Sequence, residues 1–233
     1  MGGTDIPTRT VRRPPDNAKR IEADICVVGS GAAGISAALE AARAGKRVVL
    51  VDAAATLGGQ AVNAIIGTFC GLYSNGPDIV RLTYGIADEI LRDLRASGAA
   101  RDRTARNSII VQYDEIALAR WIDKAVAEAG ITVLLGAVVR NATLSGRRVT
   151  TLEIATRYGD VVVAAEGYVD ASGDATIAWH AGLPVREPEA PIFGTQVVLF
   201  ENFDEKAAGN IDRWEMQERL ADRADDYGLI RKD

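Results

Sequence analysis

Two cysteines and one histidine are all that the 233 residues offer of the soft and titratable ligands. Two thiols are too few for a disulfide framework, which points to a reduced, cytoplasmic setting. Cys26, Cys70 and His180 form no Cys/His spacing suited to zinc, so no metal site is expected. No apolar run approaches the length of a membrane span, and the polar N-terminus has no signal-peptide core. Basic charge is also short: 27 Lys and Arg stand against 32 Asp and Glu, a formal net charge of −5. That excludes the global positive field of a nucleic-acid or anionic-membrane binder. Basic residues cluster ahead of the first strand, at Arg9, Arg12, Arg13, Lys19 and Arg20 around Pro14-Pro15, and residues 1–22 read as a solvated arm. No Ser-His-Asp set and no paired catalytic carboxylates follow from spacing, and no catalytic residue is assigned.

What the chain does have is apolar residues (48%) and 23 glycines. Ile25-Cys26-Val27-Val28 is a continuous apolar run, as expected of a parallel strand buried on both faces, with Cys26 a small buried hydrophobe. It leads directly into Gly29-Ser30-Gly31-Ala32-Ala33-Gly34, a G-x-G-x-x-G. Gly29 allows the tight turn, Gly31 lets backbone approach a pyrophosphate, and Gly34 lets the next helix pack close. That helix is expected from Ala33 to about Ala44, with Gly45 as its stop. A second strand, Arg47 to Val51, ends at Asp52, followed by Ala53. A carboxylate there suits a ribose hydroxyl pair and repels a 2′-phosphate, so NADP is disfavoured. The order strand, glycine turn, helix, strand, acid identifies a dinucleotide site. FAD and NAD both fit it, because the fingerprint reads only the ADP half.

Three later features bear on that choice. Leu57-Gly58-Gly59-Gln60 supplies a second glycine pair, followed by a weakly polar, glycine-rich run from Ala61 to Gly76. Ile131 to Gly136 reads as a strand behind a helix ending at Gly130, and strand-like runs at Val149–Thr156 and Val161–Ala165 follow with a turn at Tyr158-Gly159-Asp160, a β-meander of the kind that interrupts flavin-binding Rossmann domains. Finally, Tyr168-Val169-Asp170 is a short strand with Gly173-Asp174 at its C-terminal end. A packing helix is expected over Ile79–Ser97, with Ile86, Ile90, Leu91 and Leu94 at helical spacing. Asp114 reads as a helix cap and Asp123 as a solvent-facing or packed acid. Cys70 reads as a structural thiol and His180 as a packed histidine.

Taken together, Gly29, Gly31, Gly34 and Asp52; Gly58-Gly59; Gly85-Ile86-Ala87-Asp88-Glu89; Tyr113-Asp114; and Asp170-Ala171-Ser172-Gly173-Asp174 resemble the FAD-dependent oxidoreductases of the glutathione-reductase-like superfamily, distantly related to the fumarate reductase flavoproteins. The resemblance runs from about Ala23 to Pro184. It implies an α/β fold: a Rossmann-like FAD-binding domain over 23–185 with a parallel sheet and a β-meander insertion, and the start of a substrate domain over 186–233. It also implies that the Gly173-Asp174 turn, with Ala171, lies against the pyrophosphate and ribityl side of FAD, and that the segment Gly136 to Val139, with Val138 and Val139, meets the adenine. Gln60, Asn63 and Thr68, in the run after the glycine pair, are then candidates beside the isoalloxazine. With Ser30, Ala32, Ala33 and Ala53 these complete the expected cofactor contacts.

Beyond Pro184, Glu187–Pro191 reads as a linker, Ile192–Phe200 as a strand and Ile211–Ala224 as a charged helix. That leaves no room for a whole substrate domain, so a second subunit is expected to complete it, unless the chain is a fragment. The expected function is FAD-dependent hydride transfer between a small organic substrate and flavin, by the chain or by a complex of which it is the FAD-binding subunit. A non-catalytic flavin-binding subunit is the alternative, and an NAD-binding dehydrogenase stands behind both, lacking a second fingerprint.

Overall fold

The structure, a computed structural model, describes residues 18–105, 107–186, 189, 202, 204, 213–226 and 228. Packing divides the chain into two units, Met1–Phe193 and Gly194–Asp233.

The first unit is built on a six-stranded sheet. Strands β1 (Lys19–Val28), β2 (Val48–Val51), β6 (Thr132–Leu134), β7 (Val138–Ser145), β8 (Arg148–Thr156) and β9 (Gly159–Asp170) lie in the order β6-β2-β1-β9-β8-β7. The four strands β6, β2, β1 and β9 run parallel, and β8 and β7 continue the sheet antiparallel. Helices α1 (Ala32–Arg43) and α4 (Glu115–Glu128) are the crossovers that such parallel pairing needs.

Alternation along β1 and β2 shows why these strands are apolar without interruption. Val27 and Leu50 pack into one cluster with Ile35 and Leu39 of α1 and Leu118 and Ile122 of α4. Their neighbours Cys26, Val28, Val49 and Val51 face the opposite cluster, with Leu152 and Ile154 of β8, Val163 of β9 and Ile177. Both faces of the sheet are covered, so no position in its centre tolerates a polar side chain.

The meander is present but is not an appendage. The expected runs Val161–Ala165 and Tyr168–Asp170 are one continuous 12-residue strand, β9, paired with β1 from Lys19↔Val161 to Val28↔Asp170. That pairing also draws the first strand back to Lys19, six residues before the apolar run at Ile25. Tyr168 bridges the seam: its hydroxyl donates to Thr150 O (2.7 Å) and accepts from Ala165 N (2.8 Å).

A second, three-stranded antiparallel sheet, β3-β5-β4, joins β3 (Thr68–Phe69), β5 (Ser108–Tyr113) and β4 (Ala100–Ala105). Helix α3 spans Ile86–Ala96, not Ile79–Ser97. Gly85, at φ +76°, breaks the chain direction there, and the Asp88 carboxylate accepts from Gly85 N at 3.0 Å. Ile86, Leu91 and Leu94 are buried as the spacing required. Asp114 caps α4, accepting from Ala117 N at 2.8 Å, and Asp123 faces solvent. The short helices α2 (Gln60–Asn63) and α5 (Thr176–His180) follow the two glycine-bearing turns.

In the second unit, the expected charged helix is α6 (Arg213–Asp222), and Arg219 pairs with Glu215 at 2.5 Å. The strand expected at Ile192–Phe200 lies outside the described residues, as do residues 1–17 of the expected arm and all of Glu187–Pro191 except Glu189.

Candidate functional site

The C-terminal ends of β1, β2 and β9 meet at one point, and the first glycine turn is set there by contact. Gly29 (φ +99°) donates its N–H to Val51 O at 2.8 Å. A Cβ on it would meet Ala171 O at 2.1 Å, and one on Gly34 would meet Gly29 O at 1.8 Å. Gly31 differs: a Cβ there would have nothing within 4 Å. Gly31 is also the N-cap of α1, which has no side-chain cap and no acidic residue in its first turn. The first N–H groups of α1, at the positive end of its dipole, therefore have no side-chain cap and no neighbouring acid beside a glycine whose missing side chain leaves room. That is a seat for a phosphate group.

Ser30 is fully buried, and its N–H and hydroxyl both donate to Asp52 Oδ2, at 2.5 and 2.6 Å. Asp52 Oδ1 accepts from Ala54 N at 2.7 Å, and Ser30 O accepts from Gly58 N at 2.9 Å. The acid at the end of β2 thus clasps the middle of the glycine turn. The same acid lies beside the expected adenine segment: Ala137 N donates to Asp52 O (2.9 Å) and Gly136 N to Ala54 O (2.8 Å). Of the two valines after Ala137, Val138 is 52% exposed and Val139 is buried. Ala53 is exposed.

The second glycine pair abuts the first turn. Gly59 (φ +54°) approaches so closely that a Cβ on it would meet Gly31 Cα at 2.8 Å. Gln60 and Asn63 are exposed on α2, and Asn63 Oδ1 accepts from Thr56 Oγ1 at 2.7 Å. Thr68 is part of β3, paired with Gln112. The chain after the glycine pair is anchored by Tyr113, whose hydroxyl donates to Ala61 O at 2.8 Å. Its ring stacks on Phe69 (centroids 4.1 Å apart), and burial pushes its pKa up to about 12.

The return turn closes the site through Ala171, whose N–H donates to Val28 O at 2.8 Å. Asp170 organises the chain from Ser172 to Ala178. Its Oδ1 accepts from Ser172 Oγ (2.7 Å) and Ser172 N (3.3 Å), and its Oδ2 from Ile177 N (2.8 Å) and Ala178 N (3.1 Å). Burial acts to raise its pKa, but the hydrogen bonds from Ser172, Ala178 and Ile177 outweigh it and hold the carboxyl below its ordinary value. Gly173 (φ +82°) and Asp174 are exposed, and the Asp174 carboxylate has no partner among the described residues.

Ser30, Asp52, Gly29, Gly31, Gly34, Gly59 and Ala171 therefore converge at the strand ends, with Ala32 and Ala33 exposed at the start of α1. Sequence reasoning assigns Asp170 no role of its own, although Asp-x-Ser at a strand end is a recognisable turn signal. It also assigns none to Tyr113, whose partner lies 52 residues away. Cys26 is buried, which pushes its thiol up to about 12 and leaves it inert, whereas Cys70 is exposed. His180 is half-buried at the end of α5. Among the described residues no group of three or more His, Cys, Asp or Glu is placed to hold a metal ion, and no helix is long and apolar enough to cross a membrane.

Residues 24–228 match the sequence model of a family described as FAD dependent oxidoreductase. Among solved structures, the chain is similar to THI4 of Thermovibrio ammonificans, at 21% identity and a TM-score of 0.49, over 68% of this chain and 61% of that one. It is similar to a geranylgeranyl bacteriochlorophyll reductase-like protein of Thermoplasma acidophilum, at 16% identity and a TM-score of 0.48, over 70% of this chain and 43% of that one. A 3-ketosteroid-Δ4-(5α)-dehydrogenase of Rhodococcus jostii, solved with 4-androstene-3,17-dione, gives 18% identity and a TM-score of 0.49, over 66% and 46%. The chain thus covers less than two thirds of each of these structures. No curated protein matches it.

Proposed function

We propose, for a chain that belongs to the FAD dependent oxidoreductase family, that it holds FAD for hydride exchange with a small organic substrate. FAD is the cofactor of the family, and the space beside Gly31 is the observation that supports its seat here: an uncapped helix start with no acid in its first turn, next to a glycine with nothing within 4 Å of its missing side chain. When bound, the flavin supplies the two-electron redox chemistry.

In this reading Gly31, Ala32 and Ala33 present backbone N–H groups to the pyrophosphate, while Gly29 and Gly34 keep that backbone close to the strand ends. Asp52 fixes the turn through Ser30 and offers its carboxylate to the ribose, and the Gly136–Val139 segment with Ala53 borders the adenine. Gly58 and Gly59 bring the Gln60–Thr68 run to the ring end, where Gln60, Asn63 and Thr68 offer side-chain hydrogen bonds. Ala171, Gly173 and Asp174 line the ribityl side. The chain works in the cytoplasm, a setting supported by its two free cysteines. It works with a second polypeptide. Supporting that, the large side chains Ile65, Ile66, Val80, Leu82, Tyr84 and Ile116 are exposed among the described residues.

The test is the visible absorbance of the purified full chain after incubation with FAD, followed by denaturation to identify the released pigment. Stoichiometric FAD in the wild type, and its loss in a Gly31→Val variant that still folds, are the expected results. A colourless wild-type protein defeats the reading. Bleaching of the flavin band by a substrate under anaerobic conditions separates an oxidoreductase from a flavin-binding subunit without activity.

A further inference from the structure

A cavity of about 210 Å³ opens beside the start of α1 and shares Ala32 and Gly58 with the site described above. Its floor is core: Ile35, Leu118 and Ile122, with Leu91 of α3. Phe69 and Leu72, from the run after the glycine pair, form one wall, and Ala87 and Ile90 of α3 the other. Ala32, of the proposed pyrophosphate seat, and Gly58, of the second glycine pair, border it.

The chemistry of the lining restricts what fits. No charged side chain lines the cavity, and only Ser36 and Thr83 bring hydroxyls. The Ser36 hydroxyl is spent on Ala32 O at 2.8 Å, while that of Thr83 has no partner among the described residues. Among these side chains an ion would lose hydration with no charged partner in exchange, which disfavours a charged occupant. Apolar cavities of about 150 Å³ stay dry and take up a benzene-sized molecule. A space of 210 Å³ therefore suits one ring or a short branched hydrocarbon.

We propose that this cavity receives the neutral, ring-sized hydrocarbon portion of the substrate, with Thr83 as its one hydrogen-bonding contact. The inference rests on the function proposed above and narrows its small organic substrate to an apolar one. A sealed core void would have no such role, but this one is open to the surface, so the occupant enters without unfolding. Its lining by Ala61, Phe69 and Leu72 puts it beside the run that the proposed function brings to the ring end, which is where a reacting substrate has to be.

The full chain loaded with FAD is titrated with fluorobenzene, followed by fluorine NMR line broadening, and in parallel with 4-fluorobenzoate as the charged counterpart. Saturable binding of fluorobenzene with a shift of the flavin absorbance, and no saturable binding of 4-fluorobenzoate, is the expected result. Ala87→Leu fills the cavity and should weaken fluorobenzene at least tenfold while FAD content stays unchanged. Thr83→Leu, at a half-buried loop position outside any helix or strand, should do the same, with its urea midpoint confirming that it folds. Equal binding of both probes, or unchanged binding in both variants, overturns the cavity as the site. Binding to the FAD-free chain that FAD abolishes assigns the space to the cofactor and overturns the substrate role. Binding without any flavin shift overturns it too. A chain that takes up no FAD defeats the parent reading, and the substrate role with it, whatever fluorobenzene does.

Discussion

The two turns at the ends of β1 and β9 use the same device with opposite reach. In each, an aspartate at a strand end accepts both the N–H and the hydroxyl of one serine: Asp52 from Ser30, Asp170 from Ser172. Asp52 reaches a serine 22 residues back in sequence, and that serine is fully buried. Asp170 holds one only two residues on, in a turn whose tip is exposed. The first turn is therefore made by the packing of the domain, and its Gly29 and Gly34 are steric necessities. The second is made locally, and its glycine answers only to backbone angle.

Exchanging glycines tests that contrast most severely. Gly29→Ala combines a φ of +99° with a Cβ driven into Ala171 O, and should cost about 3 kcal/mol or more, or prevent folding altogether. Gly173→Ala meets nothing within 4 Å and bears only the penalty of φ +82°, about 1–2 kcal/mol. Urea midpoints of the two variants measure both, and similar losses would dissolve the distinction.

The serines give a smaller difference of the same sign. Ser30→Ala removes a buried hydrogen bond to a carboxylate and should cost about 1.5–3 kcal/mol. Ser172→Ala leaves Asp170 its bonds from Ile177 and Ala178, and a loss of about 1 kcal/mol is expected. A Ser172→Ala loss equal to that of Ser30→Ala would mean that the return turn is as tightly integrated as the first.

The smallest effect is a pH dependence. The Asp170 carboxyl is held below its ordinary value, so the folded state binds that proton less readily than the unfolded chain. Its contribution is present in full above the unfolded carboxylate value of about 4 and disappears as pH falls through the lower folded value. The stability advantage of the wild type over Asp170→Asn should shrink on acidification through that window. An advantage that is flat with pH there would show that Asp170 acts through shape alone.

How much of this is legible in the sequence depends on the range of the interaction. The first turn, α1, β2 and Asp52 stand in contiguous order, and the Asp114 cap is a local signal, so each can be read from a short window. The N-terminal half of β1 cannot: Lys19-Arg20-Ile21-Glu22 is charged and reads as an arm, and only its pairing with Val161–Ala164 makes it a strand. Strand β4, Ala-Arg-Asp-Arg-Thr-Ala, is equally polar and is defined by its register against β5. The start of α3 departs from its expected place for a different reason, because Ile79 and Leu82 continue the apolar spacing across Gly85, which the structure uses as a break. At the site, the glycines and the acid are legible. Their mutual contacts, such as Gly59 against Gly31 and Tyr113 on Ala61, join segments that no local window contains.

The unbroken run of β9 has a consequence for how such a chain tolerates insertions. One strand both completes the meander and delivers Ala171 to Gly29, so its length acts as a fixed gauge between them. A residue inserted between Val161 and Val169 would turn every later side chain to the opposite face and carry the return turn away from its seat. The hairpin tips at Gly146-Arg147 and Arg157-Tyr158 carry no such obligation, and Tyr158 is 91% exposed. Within the meander, an added residue is therefore expected to be tolerated at those tips and not inside β9.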